Sequence, residues 1–230
     1  DKVFRDGPVT RARIREFWQC DVDIVGTKSL LADVELIQMA LTALNKLKLD
    51  CIIKVNNRKL LNEIIEYAGI KKELDSIILI IDKLHKVGKA GVERDLSENG
   101  LKRGQVDKIM EIIAASGTNE EKLKNIGKKV NRDGIRELTY VLRHFKKNVV
   151  FDPTLARGLS YYTGMIFEVV LEDDDLGCSV GCCGRYDSMI GSFSGRGNIP
   201  ATGISFGLEP LSAALGKIKK TKKTNVELFI

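Results

Sequence analysis

Apolar and polar residues alternate most cleanly near the start of the chain. From residue 17 to residue 25, Trp18, Cys20, Val22 and Ile24 interleave with Gln19, Asp21 and Asp23, the period-two pattern of a half-buried strand. The short apolar pair Val3 and Phe4 precedes it, and a polar, basic loop from Asp6 to Arg13 lies between. This reads as two antiparallel strands joined by that loop, with one amide and two carboxylates grouped on a single sheet face that wants a polar ligand.

The period then changes. Leu30, Leu31, Val34, Ile37, Ala40, Leu41, Leu44 and Leu47 recur at helical spacing, predicting an amphipathic helix over 29–47. A short strand over 51–55 and a helix over 57–67, stopped near Gly69, follow. Residues 71–147 read as charged helical segments broken by glycines, a helical insertion between two parts of one domain. Strands are expected again at Val149–Phe151, Met165–Leu171 and 178–180, then a glycine-rich stretch leading to a strand over 201–206 and a helix over 209–215. Five lysines between Lys217 and Lys223 predict a solvated linker, and the β-like residues 226–230 the start of another domain. The chain therefore divides into 1–70, 71–147, 148–217 and 218–230, and is expected to be a portion of a longer protein.

Composition narrows the class. A hydrophobic fraction of 43%, a charged fraction of 30% and four prolines in 230 residues suit a folded globular chain. Thirty-seven Lys and Arg against 31 Asp and Glu leave a formal charge of +6, compatible with a nucleotide or nucleic-acid partner. No run of about 18 apolar residues could span a bilayer and the first residues lack signal-peptide character, so no membrane partner and a cytoplasmic location are expected. The five cysteines are odd in number and include no CxxC pair, and His85 and His144 lie far from the Cys178, Cys182, Cys183 cluster. Neither a disulfide framework nor a metal site is expected from that spacing.

Arg5, Arg11, Arg13, Arg15, Arg157 and Arg185 are the conspicuous cations. An arginine in a charged loop is usually just solvated. Arg157 has a different setting, Leu155-Ala156-Arg157-Gly158-Leu159-Ser160-Tyr161-Tyr162-Thr163-Gly164. There glycines permit close backbone approach, and two tyrosines can divide packing and hydrogen bonding between them. A planar, permanently charged guanidinium suits a site where two anions must be brought together.

The string from Ala156 to Gly164 is similar to a signature of histidyl-tRNA synthetases, class II aminoacyl-tRNA synthetases, and Gly184-Arg185-Tyr186-Asp187 resembles the end of a second one. The stretch from Arg15 to Gly26 resembles class II motif two in that family, and Ala201 to Glu209 the start of motif three. Asn56 to Leu61 and Ile81 to Lys86 resemble stretches flanking or inside the family's inserted domain in its eukaryotic and archaeal style. The resemblance implies an α+β fold, an antiparallel sheet flanked by helices with a helical insertion directed at the tRNA acceptor arm. It also implies a histidine–tRNA ligase acting on histidine, ATP with Mg2+, and tRNA(His), as a homodimer.

Carried over residue by residue, the resemblance assigns Arg5 and Arg157 to catalysis, clamping the histidine carboxylate and the α-phosphate. It assigns Gln19 and Asp23 to the histidine ammonium, and Tyr161 and Tyr162 to the imidazole pocket. ATP contacts fall to Arg5, Arg13, Phe17, which would stack on adenine, and Glu209, which would work near the magnesium. Several positions depart from the family pattern. Pro210 follows Glu209 where an ATP-contacting arginine belongs, with an altered helix start expected there. Ser160 replaces an acidic residue, Cys182 and Cys183 replace glycines, the loop from Asp6 to Arg13 is short, and motif one is absent. The chain by itself is thus expected to activate histidine poorly. A catalytically silent synthetase-like regulatory or tRNA-binding module is the alternative expectation.

Overall fold

The computed structural model describes residues 1–6, 9, 14–130, 132–172, 179–195 and 197–218. Arg11, Arg13, Cys178 and the expected linker and strand beyond residue 218 lie outside them. Strands β1 (Lys2–Phe4) and β2 (Glu16–Val25) open the chain, followed by helix α1 (Leu31–Lys46), strand β3 (Cys51–Asn57) and helix α2 (Arg58–Tyr67). Asn57 ends β3 in an extended conformation and caps α2, its side chain accepting from the Lys59 amide. Five helices follow: α3 (Leu74–Ile81), α4 (Leu84–Glu98), α5 (Arg103–Ile113), α6 (Asn119–Gly127) and α7 (Asp133–Leu142). The chain then forms β4 (Val149–Phe151), β5 (Met165–Leu171), β6 (Gly181–Arg185), α8 (Met189–Ser194), β7 (Ala201–Gly207) and α9 (Leu208–Ile218).

The seven strands form one sheet in the order β1-β2-β7-β6-β5-β3-β4, antiparallel throughout except for the β3–β4 pair. The architecture is α+β. The strand expected over 178–180 begins instead at Gly181. Glycine and cysteine are weak strand formers, and it is the pairing of Gly181–Arg185 with β5 on one side and β7 on the other that makes them a central strand. Pro210 leaves the helix start intact, because α9 begins at Leu208 and the proline falls in the first turn, where its missing N–H has no intrahelical acceptor to lose.

Period-two alternation gives the sheet two unlike faces. The back carries Ile53, Val55, Phe167, Val169, Ile204 and Phe206, all buried beneath α1, α7 and α9. Leu36, Ile37 and Leu44 of α1 and Ile135, Leu138 and Val141 of α7 complete that core. At the β1–β2 edge the back face is uncovered: Phe4 is 73% exposed and Trp18 51%. A polar cluster interrupts the core between β6 and α1. Arg185 of β6 meets Asp33 of α1 at 2.5 Å, with side-chain exposures of 4% and 0%. The same guanidinium donates to the carbonyls of Thr27 and Ser29, at 3.1 and 3.0 Å, and Thr202 donates to Asp33 at 2.9 Å. Burial pushes the Asp33 carboxyl above its ordinary range, although Arg185 and Thr202 both act to lower it.

Candidate active site

The front face follows from the register. Asp21, Ser205, Cys182, Glu168 and Lys54 lie side by side on β2, β7, β6, β5 and β3. Asp23, Gly203, Gly184, Ile166 and Asn56 form the next row. Over β3 and β5 a loop covers this face, tied down by Asn56, which donates to the carbonyls of Pro153 and Leu155 at 3.2 and 2.8 Å. Over β6, β7 and β2 the first row stays half-buried or exposed. The polar face expected from Gln19, Asp21 and Asp23 is thus the front of the sheet. Gln19 donates to Asp21 at 2.8 Å, and the Ser205 hydroxyl also donates to Asp21.

The loop delivers Arg157 and the tyrosines to this face. The Arg157 guanidinium approaches Glu168 at 3.4 Å, and its Nε is buried with no hydrogen-bond partner among the described residues. Burial alone would lower its pKa. Cys182, Tyr162, Glu168 and Asp82 outweigh that effect and hold the guanidinium above its ordinary range, so it stays charged. Tyr162 lies over Gly184, where a Cβ would stand 2.7 Å from two ring carbons. Its ring centroid is 4.6 Å from that of Tyr161. Tyr186 donates its hydroxyl to Asp23, and burial together with that hydrogen bond raises its pKa, keeping the phenol neutral. Asp23 in turn extends across Gly203, where a Cβ would overlap its Oδ1.

Arg157, Tyr161, Tyr162, Asp23 and Tyr186 therefore share one patch, with Gln19 beside it through Asp21. Arg5 sits at the opposite, β1–β2 end of the face, its guanidinium 4.3 Å above the Phe17 ring and its Nε donating to the Ile14 carbonyl at 3.0 Å. The Arg5 contact occupies one face of the half-buried Phe17 ring. Glu209 joins α9 to β2: one oxygen accepts from the Trp18 amide at 2.8 Å, while the other is buried without a hydrogen-bond partner among the described residues. Arg13 falls outside the described residues. Two concavities lie elsewhere, one of about 720 Å³ along α1 and one of about 490 Å³ between α2 and α7.

Three features of the patch were not singled out as site residues from the sequence. Tyr186 stands inside the quoted Gly-Arg-Tyr-Asp string, so its motif was visible and only its pairing with Asp23 was not. Glu168 meets Arg157 only because β5 passes beneath the loop. Cys182 enters the front row where the family pattern has glycine. Arg185, by contrast, belongs to the back of the sheet and braces α1.

The histidyl-tRNA synthetase family model matches residues 1–211. The chain belongs to the histidyl-tRNA synthetase family. It is 41% identical over 238 residues to histidine–tRNA ligase 1 of Bacillus cereus, covering all of this chain and 56% of that protein. It is 39% identical over 226 residues to the histidine–tRNA ligase of Phocaeicola vulgatus, covering 94% of this chain and 49% of that protein. The chain thus spans about half the length of these relatives. The crystal structure of a histidyl-tRNA synthetase from Nostoc superposes with a TM-score of 0.82 at 32% identity, over 96% of this chain and 54% of that one. A Bacillus halodurans protein described as an ATP phosphoribosyltransferase regulatory subunit/histidyl-tRNA synthetase superposes at 0.77 with 21% identity, over 94% and 57%. That last likeness concerns the fold alone. Among the described residues no helix is long and apolar enough to cross a membrane.

Proposed function

We propose that this chain carries the amino-acid-activating site of a histidine–tRNA ligase. A histidine carboxylate oxygen attacks the α-phosphorus of ATP, the bond to pyrophosphate breaks, and histidyl-adenylate forms. A terminal ribose hydroxyl of tRNA(His) then takes the acyl group and releases AMP. The observation that carries this reading is the charged, half-buried Arg157, whose Nε lacks a hydrogen-bond partner among the described residues, standing beside Tyr161, Tyr162 and the Tyr186–Asp23 pair on an open sheet face. Arg157 offers fixed positive charge where carboxylate and phosphate would meet. Asp23 and the Gln19 amide oxygen would accept from the histidine ammonium, and the tyrosines would flank the imidazole. Arg5 would reach the phosphates from the other end of the face, with adenine stacking at Phe17 and Arg13 near the nucleotide.

Magnesium would arrive on the phosphates. Glu209 has one buried carboxylate oxygen with no hydrogen-bond partner among the described residues, which fits a supporting contact to an ion or its water more than a protein cage. In this reading residues 1–70 and 148–217 build the catalytic core, 71–147 the helical insertion, and 218–230 lead to a further domain. The protein works as a cytoplasmic homodimer, and the uncovered apolar residues Phe4 and Trp18 support an interface at that edge.

Histidine-dependent exchange of labelled pyrophosphate into ATP tests the activity in the full-length protein. Exchange driven by another amino acid and not by histidine would overturn the assignment. A second reading, a synthetase-like regulatory or tRNA-binding module without turnover, is favoured by Cys182, whose side chain occupies the front row beside Arg157 and Glu168. Histidine binding without exchange would establish it.

A further inference from the structure

Two distant parts of the chain hold the loop that carries Arg157. From the sheet, Asn56 binds the carbonyls of Pro153 and Leu155. From the helical segment, the α3–α4 junction reaches the loop twice. His85 Nε2 lies 3.1 Å from the Thr154 hydroxyl, and Leu79 and Asp82 press on Gly158 so closely that a Cβ there would stand 3.0 Å from Leu79 Cδ2 and 3.1 Å from Asp82 Oδ2. Between these grips Arg157 has φ 49°, and the Leu159 amide donates to its carbonyl at 2.8 Å. A residue with a Cβ adopts that conformation at a cost of about 1 kcal/mol or more, and only where its surroundings over-determine it.

Asp82 is also out of place by local rules. It is the C-cap of α3, where the helix dipole disfavours an anion. It is exposed, so packing does not explain it. Residues that break a local preference without a packing reason tend to serve a site. Here the carboxylate lies against Gly158, the residue after Arg157, and its charge acts on the guanidinium, while Glu168 of the sheet stands 3.4 Å from it.

We propose that Asp82 is a positioning residue for Arg157: it buttresses Gly158, supplies a second carboxylate to orient the guanidinium, and thereby ties the helical segment to the activation step. The proposal rests on the role given to Arg157 above. Because α3 is fixed to the core by Ile77, Ile78 and Ile81, a displacement of α3 and α4 would be felt at Arg157 through this contact.

Asp82→Asn keeps the shape and removes the charge, and Asp82→Glu restores the charge. In the full-length protein Asp82→Asn is expected to lower kcat for histidine-dependent pyrophosphate exchange about tenfold. KM should change less, Asp82→Glu should recover much of the loss, and the unfolding midpoint should stay within about 2 °C, as for an exposed substitution. In parallel, the Arg157 Nε–H resonance of a 15N-labelled chain, assigned by its disappearance in Arg157→Lys, should move and exchange faster with solvent in Asp82→Asn. Unchanged kcat with an unchanged Nε–H signal would overturn the proposal. So would equal losses in the Asn and Glu variants that track their loss of folded protein. If the unmodified protein shows no histidine-dependent exchange, the proposed activity fails, and the Nε–H measurement still decides the role of Asp82.

Discussion

Replacing Arg185 with methionine removes the guanidinium while keeping a long apolar stem in its channel. The change leaves the fully buried Asp33 facing only the Thr202 hydroxyl of its former donors, and it takes one donor from the Thr27 carbonyl and one from that of Ser29, which keeps the Ala32 amide. Breaking a buried pair on one side costs about 3–5 kcal/mol, a large share of the roughly 5–15 kcal/mol by which a domain is stable. For a chain of this size that corresponds to a midpoint lowered by roughly 10 °C. The cause is charge, so the loss should depend on pH. Burial already raises the Asp33 carboxyl, and without Arg185 it rises further above its unfolded value. A raised carboxyl contributes stability that is full below the unfolded pKa and is lost as pH climbs toward the folded one. The penalty at pH 7 should therefore exceed that at pH 5 by about 1–2 kcal/mol. Adding Asp33→Asn should recover most of it. Urea unfolding followed by circular dichroism at both pH values measures the effect. A loss below about 1 kcal/mol, or one that is equal at pH 5 and pH 7, would refute the assignment of Arg185 as the brace of α1.

Three further outcomes are expected. Arg157→Ala should slow single-turnover histidyl-adenylate formation by roughly 10²-fold or more, and an unchanged rate would remove Arg157 from the mechanism. Gly203→Ala should displace the Asp23 carboxylate from Tyr186, because the new Cβ would overlap Oδ1. The Asp23 side chain has to give way and the Val22 carbonyl, 3.2 Å from the new Cβ, adds some backbone strain, so stability should fall by about 1–2 kcal/mol while histidine KM rises about tenfold, and a normal KM in steady-state exchange would contradict this placement of Asp23. Cys51 is buried and its thiol is pushed up to about 11, by burial first and by Glu172 and Asp50 after it. Alkylation requires the thiolate, so at pH 8 iodoacetamide should label exposed Cys20 and spare Cys51 until the chain unfolds. Labelling of native Cys51 at the rate of Cys20, read by peptide mass spectrometry, would show that its environment is open.

The strong periods in the sequence corresponded to real elements. The alternation from Trp18 to Ile24 gave a strand with its polar side on the open face, and the apolar stripe from Leu30 to Leu47 gave α1, shortened by a residue or two at each end. Strand β6 was misplaced because Gly-Cys-Cys-Gly carries no local strand preference, and its neighbours alone make it one. Among candidate site residues, the string around Arg157 announced itself through its glycines and tyrosines. The contacts made by Glu168, Asp82 and Tyr186 did not, although the last two lie in quoted strings, because those contacts depend on strand order and loop path, which no local pattern encodes. Arg185 shows the converse: its motif marked it as noteworthy, but only its position on the odd-numbered face of β6 shows that it points into the core. Thr202 and Asp33, 169 residues apart in sequence, are joined in the same way.

The left-handed backbone at Arg157 carries an evolutionary consequence. Glycine would relax that turn and asparagine would suit it better, so a lineage selected for heat resistance alone would drift toward either one. Under the role proposed for Arg157, an arginine in that conformation is a place where durability is surrendered to chemistry, and engineered thermostable descendants of this chain should be built around position 157, with it left untouched.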